Sequence, residues 1–297
     1  RRSEISYTAL IILTASLVGI ICGLVGVFLI LRKTAMMADA ISHTVLLGIV
    51  LTFLITGEVS GPAMLIGGIC AGVLTAFLVQ VLDQLDVQRD AAIGIVFTTL
   101  FAIGVILIST STGNVHLDVQ HALMGEITFI PWNTMTVPFF GKVPKATALL
   151  FAVLIVALVV LLAFYKEWKI TTFDPALAAS LGIPVVFMHY LFMGLVSITT
   201  VASFDAVGAI MVVAMLITPA ASSYLWTDRL SVMMILSPLF GILSAFLGYV
   251  IAAGIDTSIS GSMAFATGII FLISFFFAPK HGLFFKKMKR VENKEAV

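Results

Sequence analysis

Charged residues are scarce in this sequence of 297 amino acids. Only 10% of the residues are Asp, Glu, Lys or Arg, whereas a soluble globular domain carries about 25%. Hydrophobic residues make up 61% of the chain, and the mean hydropathy is +1.18. The net charge is only +1, so the composition gives no support to a nucleic-acid partner. These values indicate a membrane protein rather than an ordinary soluble fold.

Cysteine and the common catalytic motifs are also missing or rare. The two cysteines, Cys22 and Cys70, lie inside apolar runs without CxxC or Cys/His spacing, so neither a disulfide framework nor a zinc knuckle is predicted. HExxH is absent, which argues against an intramembrane zinc enzyme. No GxxxxGK[ST] sequence occurs, so the chain is predicted to have no ATPase site, no catalytic residues and no enzyme activity of its own.

Long apolar runs are what the sequence has in abundance. A helix needs about 20 apolar residues to cross a bilayer, and nine runs of this order have the predicted bounds 7–30, 36–56, 62–82, 91–109, 146–165, 184–202, 207–225, 231–253 and 261–277. They predict an all-α polytopic membrane protein with a single transmembrane domain over residues 1–297, with eight spans as the alternative. Three prolines interrupt residues 110–145, which we interpret as a re-entrant or surface helix region on the outer side.

The basic residues predict how the spans are oriented. With the amino end outside, four of the 16 Lys and Arg residues lie on the outer side, and the other twelve lie on the inner side: Arg32, Lys33, Arg89, Lys166, Lys169, Arg229, Lys280, Lys286, Lys287, Lys289, Arg290 and Lys294. The positive-inside rule favours this arrangement. We therefore expect a multi-pass plasma-membrane protein of bacterial type with its carboxyl end inside.

Two ionisable residues lie near the start of the second predicted span. Asp39 and His43 are four residues apart, so a helix places the carboxylate and the imidazole on one face. Ionisable groups within a span usually face an interior pathway. Oxygen and nitrogen ligands suit Mn, Fe or Zn better than Cu(I). The pair therefore predicts a metal site, and the alternative is a structural hydrogen bond between the two side chains or with a neighbouring span.

A second polar group lies in the outer interruption and consists of His116, Asp118, His121 and Glu126. Its position would suit metal that arrives from a binding protein outside the cell. A solvated loop is the alternative interpretation. Glu126 is the favoured ligand of this group because apolar neighbours suggest partial burial, and His121 is a second candidate.

Glycines in the first span repeat at a spacing typical of helix packing. Gly19, Gly23 and Gly26 lie on one face of a helix. Small residues allow helix backbones to approach closely in lipid, so this face is predicted to be a packing surface.

Three stretches resemble, in order, sequences of the manganese and zinc ABC permease family, which is related to the vitamin B12 and iron-siderophore importer permeases. Residues 39–48, DAISHTVLLG, are similar to the family signature "GDALSHAVLPG", although Ala38 and Leu47 replace its usual Gly and Pro. Residues 173–182, FDPALAASLG, resemble "FDPEFARSLG", and residues 216–221, LITPAA, resemble "LLLPAA". The resemblance covers nearly the whole chain.

This resemblance implies an importer of a divalent transition metal, with Mn(II) favoured and Zn(II) or Fe(II) as alternatives. It maps the metal path onto Asp39 and His43, and residues 121–126 resemble a pore-lining region. The implied partners are a second copy of this permease, cytoplasmic ABC ATPase subunits, and an extracellular metal-binding lipoprotein or periplasmic binding protein. No cofactor other than the transported metal is implied. An ion-gradient-driven secondary transporter is the runner-up, but its expected internal repeats are not evident.

Coupling to an ATPase is expected to need a short helix at the inner face. The favoured candidate is Pro219 to Arg229 (inner loop 219–230), which resembles a family coupling loop and includes Tyr224, Leu225 and Asp228. The second candidate is Asp174 to Pro184, within inner loop 166–183. It begins with Asp-Pro and is followed by an Ala/Leu-rich segment and Gly182, a pattern typical of a short capped helix.

Overall fold

The structure is a computed structural model that describes residues 2–57, 62–111, 127, 134–137 and 141–283. The helices in this part of the chain are α1 (Arg2–Leu31), α2 (Ala35–Thr56), α3 (Pro62–Gln84), α4 (Arg89–Ser111), α5 (Lys145–Ala163), α6 (Tyr165–Phe173), α7 (Pro175–Ser180), α8 (Val185–Val207), α9 (Ala209–Trp226), α10 (Leu230–Ile255) and α11 (Ile259–Phe277). Two strands, β1 (Thr134–Val137) and β2 (Gly141–Pro144), lie between α4 and α5.

Nine helices of the described part of the chain are long and apolar enough to cross a membrane, namely all except α6 and α7. This confirms the predicted all-α polytopic fold, and most span ends agree within a few residues. The sixth predicted span ended at residue 202, but α8 continues to Val207. Ser203 is buried, and the helix stops only at Gly208, whose φ of 80° suits a glycine.

The prediction of a helical region between residues 110 and 145 is wrong where the structure describes strands. β1 and β2 pair in antiparallel register, with Thr134 opposite Pro144 and Val137 opposite Gly141. The β-branched Thr and Val residues favour extended backbone, and Pro138 directly after β1 cannot continue a helix. Most other residues of this region lie outside the described residues.

The chain divides into two compact units. The first comprises residues 1–30, 126–148 and 210–297, and the second comprises residues 31–125 and 149–209. In the first unit the predicted glycine face of α1 is a packing surface. Gly19 meets the backbone of Gly241 in α10, and Gly26 meets the backbone of Leu216 in α9.

Within the second unit, α2 packs against α3, α4 and α8. Thr75 Oγ1 of α3 donates a hydrogen bond of 2.8 Å to Thr44 Oγ1 of α2, and both side chains are buried. Gly48 and Gly67 bring the two helix backbones into close approach. This packing fixes the rotation of α2 within the unit, and therefore which of its residues remain accessible.

Candidate metal site

Asp39 and His43 lie on the least buried face of the first half of α2. Asp39 Oδ1 is 3.6 Å from His43 Nε2, and the two side chains retain 39% and 35% of their exposure. Met36, one turn earlier on this face, is 54% exposed. In contrast, Met37, Ala38, Ala40, Ile41 and Ser42 are all buried. The two predicted ligands are thus brought together on an accessible stripe of the helix.

The distance between the two side chains bears on a direct hydrogen bond between them. A separation of 3.6 Å is too long for a hydrogen bond, so the structural alternative of a direct Asp39–His43 bond receives no support. Ligand atoms lie about 2.0–2.2 Å from a zinc-type divalent ion, and two of them can therefore be up to about 4.4 Å apart. The observed separation fits two ligands of one ion.

Two aromatic residues of α4 hold the imidazole of His43, and sequence reasoning did not identify them. The ring of Phe97 stacks on it at 5.6 Å between centroids, and Phe101 meets it edge-on at 5.7 Å. Phe97 and Phe101 are four residues apart, so they share one face of α4. That spacing was the only signal for them in the sequence, and it does not reveal which helix they face.

The accessible stripe of α2 ends at His43. The next residues along the same face include Leu46 and Val50, which are buried in a cluster with Ile108 of α4. Phe101 packs against this cluster as well. The same aromatic residue therefore contacts both the imidazole and the apolar cluster beyond it.

The chain supplies few further ligands near this pair within the residues that the structure describes. No three His, Cys, Asp or Glu side chains of this part of the chain are grouped closely enough to hold a metal ion. The expected outer ligands His121 and Glu126, together with His116 and Asp118, lie outside the described residues. If Asp39 and His43 bind an ion, its further ligands would be other groups of this chain, such as backbone carbonyls or the residues outside the described part, or water, or groups of another chain.

Residues 4–278 match the family model of the ABC 3 transport family. The chain belongs to this family. It is 56% identical to the manganese transport system membrane protein MntD of Bacillus subtilis, with 96% of each chain covered. It is 41% identical to the zinc transport system membrane protein TroD of Treponema pallidum, over 92% of this chain and 74% of that protein. PsaBC from Streptococcus pneumoniae, solved in complex with Fab, is similar with a TM-score of 0.77 and 36% identity over 93% of each chain.

The family resemblance noted in the motifs is thereby confirmed. Members of the ABC 3 transport family are permease subunits of ABC transporters, which are not themselves enzymes. The match spans α1 to α11, so the membrane-spanning part of the chain as a whole has the family's architecture.

The favoured coupling segment is not a separate short helix in this family member. Pro219 is buried in the interior of α9, which continues to Trp226. Tyr224, Asp228 and Arg229 are exposed and Leu225 is half-buried at the end of this helix and in the following loop. Only the second half of the predicted segment is therefore available to a partner.

Asp228 is held by the segment that follows α11. Lys280 Nζ and His281 Nε2 both donate to its carboxylate, the latter at 2.8 Å. These hydrogen bonds, that of Lys280 first, hold the pKa of Asp228 below its usual range. The ring of Tyr224 stacks on His281 with an interplanar angle of 6°. The loop after α9 and the carboxyl-terminal segment thus form one contiguous polar surface.

The second coupling candidate has the capped geometry expected from its sequence. Asp174 Oδ1 accepts a hydrogen bond of 2.9 Å from Leu177 N, and Pro175 occupies the first turn of α7. Gly182 has a φ of 79° after the helix. Leu177 and Leu181 are exposed. α7 is therefore a short helix outside the spans that presents apolar side chains to its surroundings.

Proposed function

We propose that this chain is the membrane permease subunit of an ABC importer that carries Mn(II) into the cytoplasm, with ATP hydrolysed by a separate subunit. The observation that carries the proposal is the Asp39/His43 pair, whose ligand atoms are 3.6 Å apart on the accessible face of α2. The 56% identity to a manganese transport protein supports the choice of metal. Zn(II) is the second candidate, since a zinc transport protein is 41% identical and Asp/His ligation also suits zinc.

Asp39 and His43 act by replacing water molecules around the ion as it enters the membrane-spanning part of the protein. A divalent ion in a low-dielectric pathway is costly unless charge and ligands compensate it. The Asp39 carboxylate supplies one negative charge, and the neutral imidazole of His43 supplies a nitrogen ligand of borderline softness. Exchange of ions remains possible because the side chains of both residues are partly exposed.

The remaining ligands are proposed to come from a second copy of the permease. A two-fold axis beside α2 would bring a second Asp39/His43 pair to the same ion, giving four protein ligands and room for water. Glu126 and His121 are proposed as ligands on the outer part of the path, where a metal-binding lipoprotein or periplasmic protein would deliver the ion.

The orientation follows from the basic residues, with the amino end outside and the carboxyl end inside. This arrangement places α7 and the exposed residues Tyr224 to Arg229 on the cytoplasmic side, where the ATPase would bind. α7 is the stronger of the two coupling elements because it is a separate helix with exposed Leu177 and Leu181, whereas Pro219 is buried.

Metal uptake by cells that depend on this permease tests the proposed function. Asp39→Ala and His43→Ala should each abolish accumulation of radioactive manganese, because each removes a ligand while the buried face of α2 stays intact. Asp90→Ala, which removes an exposed carboxylate at the start of α4, is the control and should transport normally. Equal amounts of each variant in the membrane must be verified. Normal uptake by both ligand variants would refute the site, and preferential uptake of zinc would reassign the metal.

A further inference from the structure

A cavity of about 320 Å³ within the second unit is separate from the Asp39/His43 pair. Arg32 of the α1–α2 loop, Arg89 at the start of α4 and His189 in the first turns of α8 contribute to its lining. Residues of α3 and α6, together with Met37 of α2 and Pro175 of α7, complete it. Because consecutive spans alternate in direction, these positions all lie at one edge of the membrane region, the edge that carries most of the basic residues.

Arg32 is a rigid cation in this cavity. Its Nε and Nη2 donate hydrogen bonds of 3.1 Å to Thr172 and Thr171. The guanidinium lies over the rings of Trp168 and Phe192, with its carbon 5.3 Å and 4.7 Å from their centroids. Burial lowers the pKa of Arg32 to about 10, which leaves it charged at neutral pH. Its remaining N–H groups have no described partner.

The described residues leave an excess of positive charge at the cavity. No carboxylate among the described residues forms an ion pair with Arg32 or Arg89. Asp83 is the one carboxylate that lines the cavity. Two guanidinium groups therefore face a single carboxylate, and guanidinium groups are suited to binding phosphate oxygens.

The rest of the lining indicates which kind of phosphate compound fits. Val79, Val185 and Val186 line the same cavity as the two arginines, so one part of it is apolar and another is cationic. A phosphate compound with an apolar part therefore fits this lining.

We propose that the cavity binds the headgroup of an anionic phospholipid of the phosphatidylglycerol type from the membrane leaflet at this edge. The phosphate is bound by Arg32 and Arg89, and the valines contact the apolar part of the lipid. Free phosphate would satisfy the arginines but would gain nothing from the apolar lining. The proposal is independent of which metal is transported.

Native mass spectrometry of the full-length permease, purified with its ATPase partner, tests this assignment. The complex is mixed with dioctanoyl phosphatidylglycerol or dioctanoyl phosphatidylcholine, and the bound lipid per permease chain is compared. The unmodified protein should retain one phosphatidylglycerol in preference to phosphatidylcholine. Arg89→Gln should reduce this preference by about fivefold, since a basic residue near anionic lipid contributes about 1 kcal/mol. Arg89 is exposed, so this variant should fold even if Arg32→Gln does not.

Lys33→Gln is the matched control because Lys33 neighbours Arg32 but is exposed and does not line the cavity. It should leave the lipid preference unchanged. An equal loss in Lys33→Gln and Arg89→Gln would overturn the proposal in favour of general surface charge. Displacement of phosphatidylglycerol by millimolar inorganic phosphate would assign the cavity to free phosphate instead. Loss of the ATPase from Arg89→Gln with an unchanged lipid preference would identify a protein-docking surface and refute the lipid site.

Discussion

His43 is positioned by its neighbours as well as by its place on α2. Phe97 lies nearly parallel to the imidazole, at an interplanar angle of 27°, and Phe101 lies at 74° to it. These contacts restrict rotation of the imidazole ring, so that Nε2 stays on the side of Asp39. An oriented ligand loses less conformational entropy when it binds an ion.

Phe97→Leu should therefore weaken metal binding without removing a ligand. Loss of an aromatic contact of this kind costs about 0.5–1.5 kcal/mol, so we expect the KM for manganese uptake to rise by roughly two- to tenfold with little change in maximal rate. Phe97→Tyr retains the ring and should restore the KM. Phe77→Leu, at an exposed phenylalanine of α3, is the control. A fall in maximal rate at unchanged KM would contradict a positioning role.

At the scale of residues, some members of the candidate site could be predicted from the sequence and others could not. Asp39 and His43 were recognisable because ionisable residues are conspicuous in an apolar span and their spacing fixes a common face. Phe97 and Phe101 were not, because phenylalanine is common in spans and its contacts depend on how α4 packs against α2. The cavity around Arg32 was missed for the same reason: its residues come from seven segments that only the tertiary structure brings together.

At the scale of elements, α7 has only six residues and depends on its caps. An isolated helix of this length is unstable in water. Asp174 satisfies the backbone N–H of Leu177, and replacement of such a cap by Ala costs about 1 kcal/mol. The orientation of the exposed Leu177 and Leu181 depends on this short turn of helix.

Asp174→Ala should therefore reduce coupling, while Asp174→Ser, which can still cap the helix, should retain it. The measurement is the ATPase activity of the reconstituted complex with and without metal-loaded binding protein. We expect a smaller stimulation in the Ala variant at an unchanged basal rate. If both variants behave like the unmodified protein, α7 is not the coupling element, and Tyr224 to Arg229 becomes the remaining candidate.

Helix packing in the first unit gives a second prediction at this scale. A Cβ atom at Gly26 would overlap the backbone carbonyl of Leu216, whereas one at Gly268 in α11 would meet nothing within 4 Å. Overpacking costs about 1–3 kcal/mol, so Gly26→Ala should lower the thermal unfolding temperature of the purified protein. Gly268→Ala should leave it unchanged or slightly raised. Equal unfolding temperatures for the two variants would show that α1 and α9 can separate without cost.

Most of the helices could be predicted, because particular segments of the sequence carry clear signals for them. Apolar length defined the nine spans, and Asp174-Pro175 with Gly182 defined both ends of the region around α7. The helix α8 continues past its predicted end at residue 202, because the hydroxyl of Ser203 is buried and hydroxyl groups are readily satisfied within membrane helices. The strands β1 and β2 were missed because two four-residue segments give too short a pattern to distinguish from a loop.

At the scale of the whole molecule, the proposed metal site is incomplete within the described part of one chain. Asp39 and His43 supply two ligands, and no third His, Cys, Asp or Glu of the described residues joins them. Metals of this class bind four to six ligands. An ion held by two protein ligands alone would exchange too readily to be selected. The second copy that we propose would provide the missing ligands with the same chemistry.

A shared site predicts one bound manganese ion for every two permease chains in the assembled complex. Elemental analysis of the purified complex gives this ratio, and a mixed pair gives a sharper test. Two differently tagged copies, one unmodified and one carrying His43→Ala, are co-expressed and isolated by both tags. If the ion is bound between the copies, a single substitution removes one of its four protein ligands, and the mixed pair should lose high-affinity binding altogether. The control is a mixed pair carrying Asp90→Ala in one copy, which should bind normally. Retention of half the manganese by the His43→Ala pair would mean that each copy completes its own site, with Glu126 or His121 as the additional ligands.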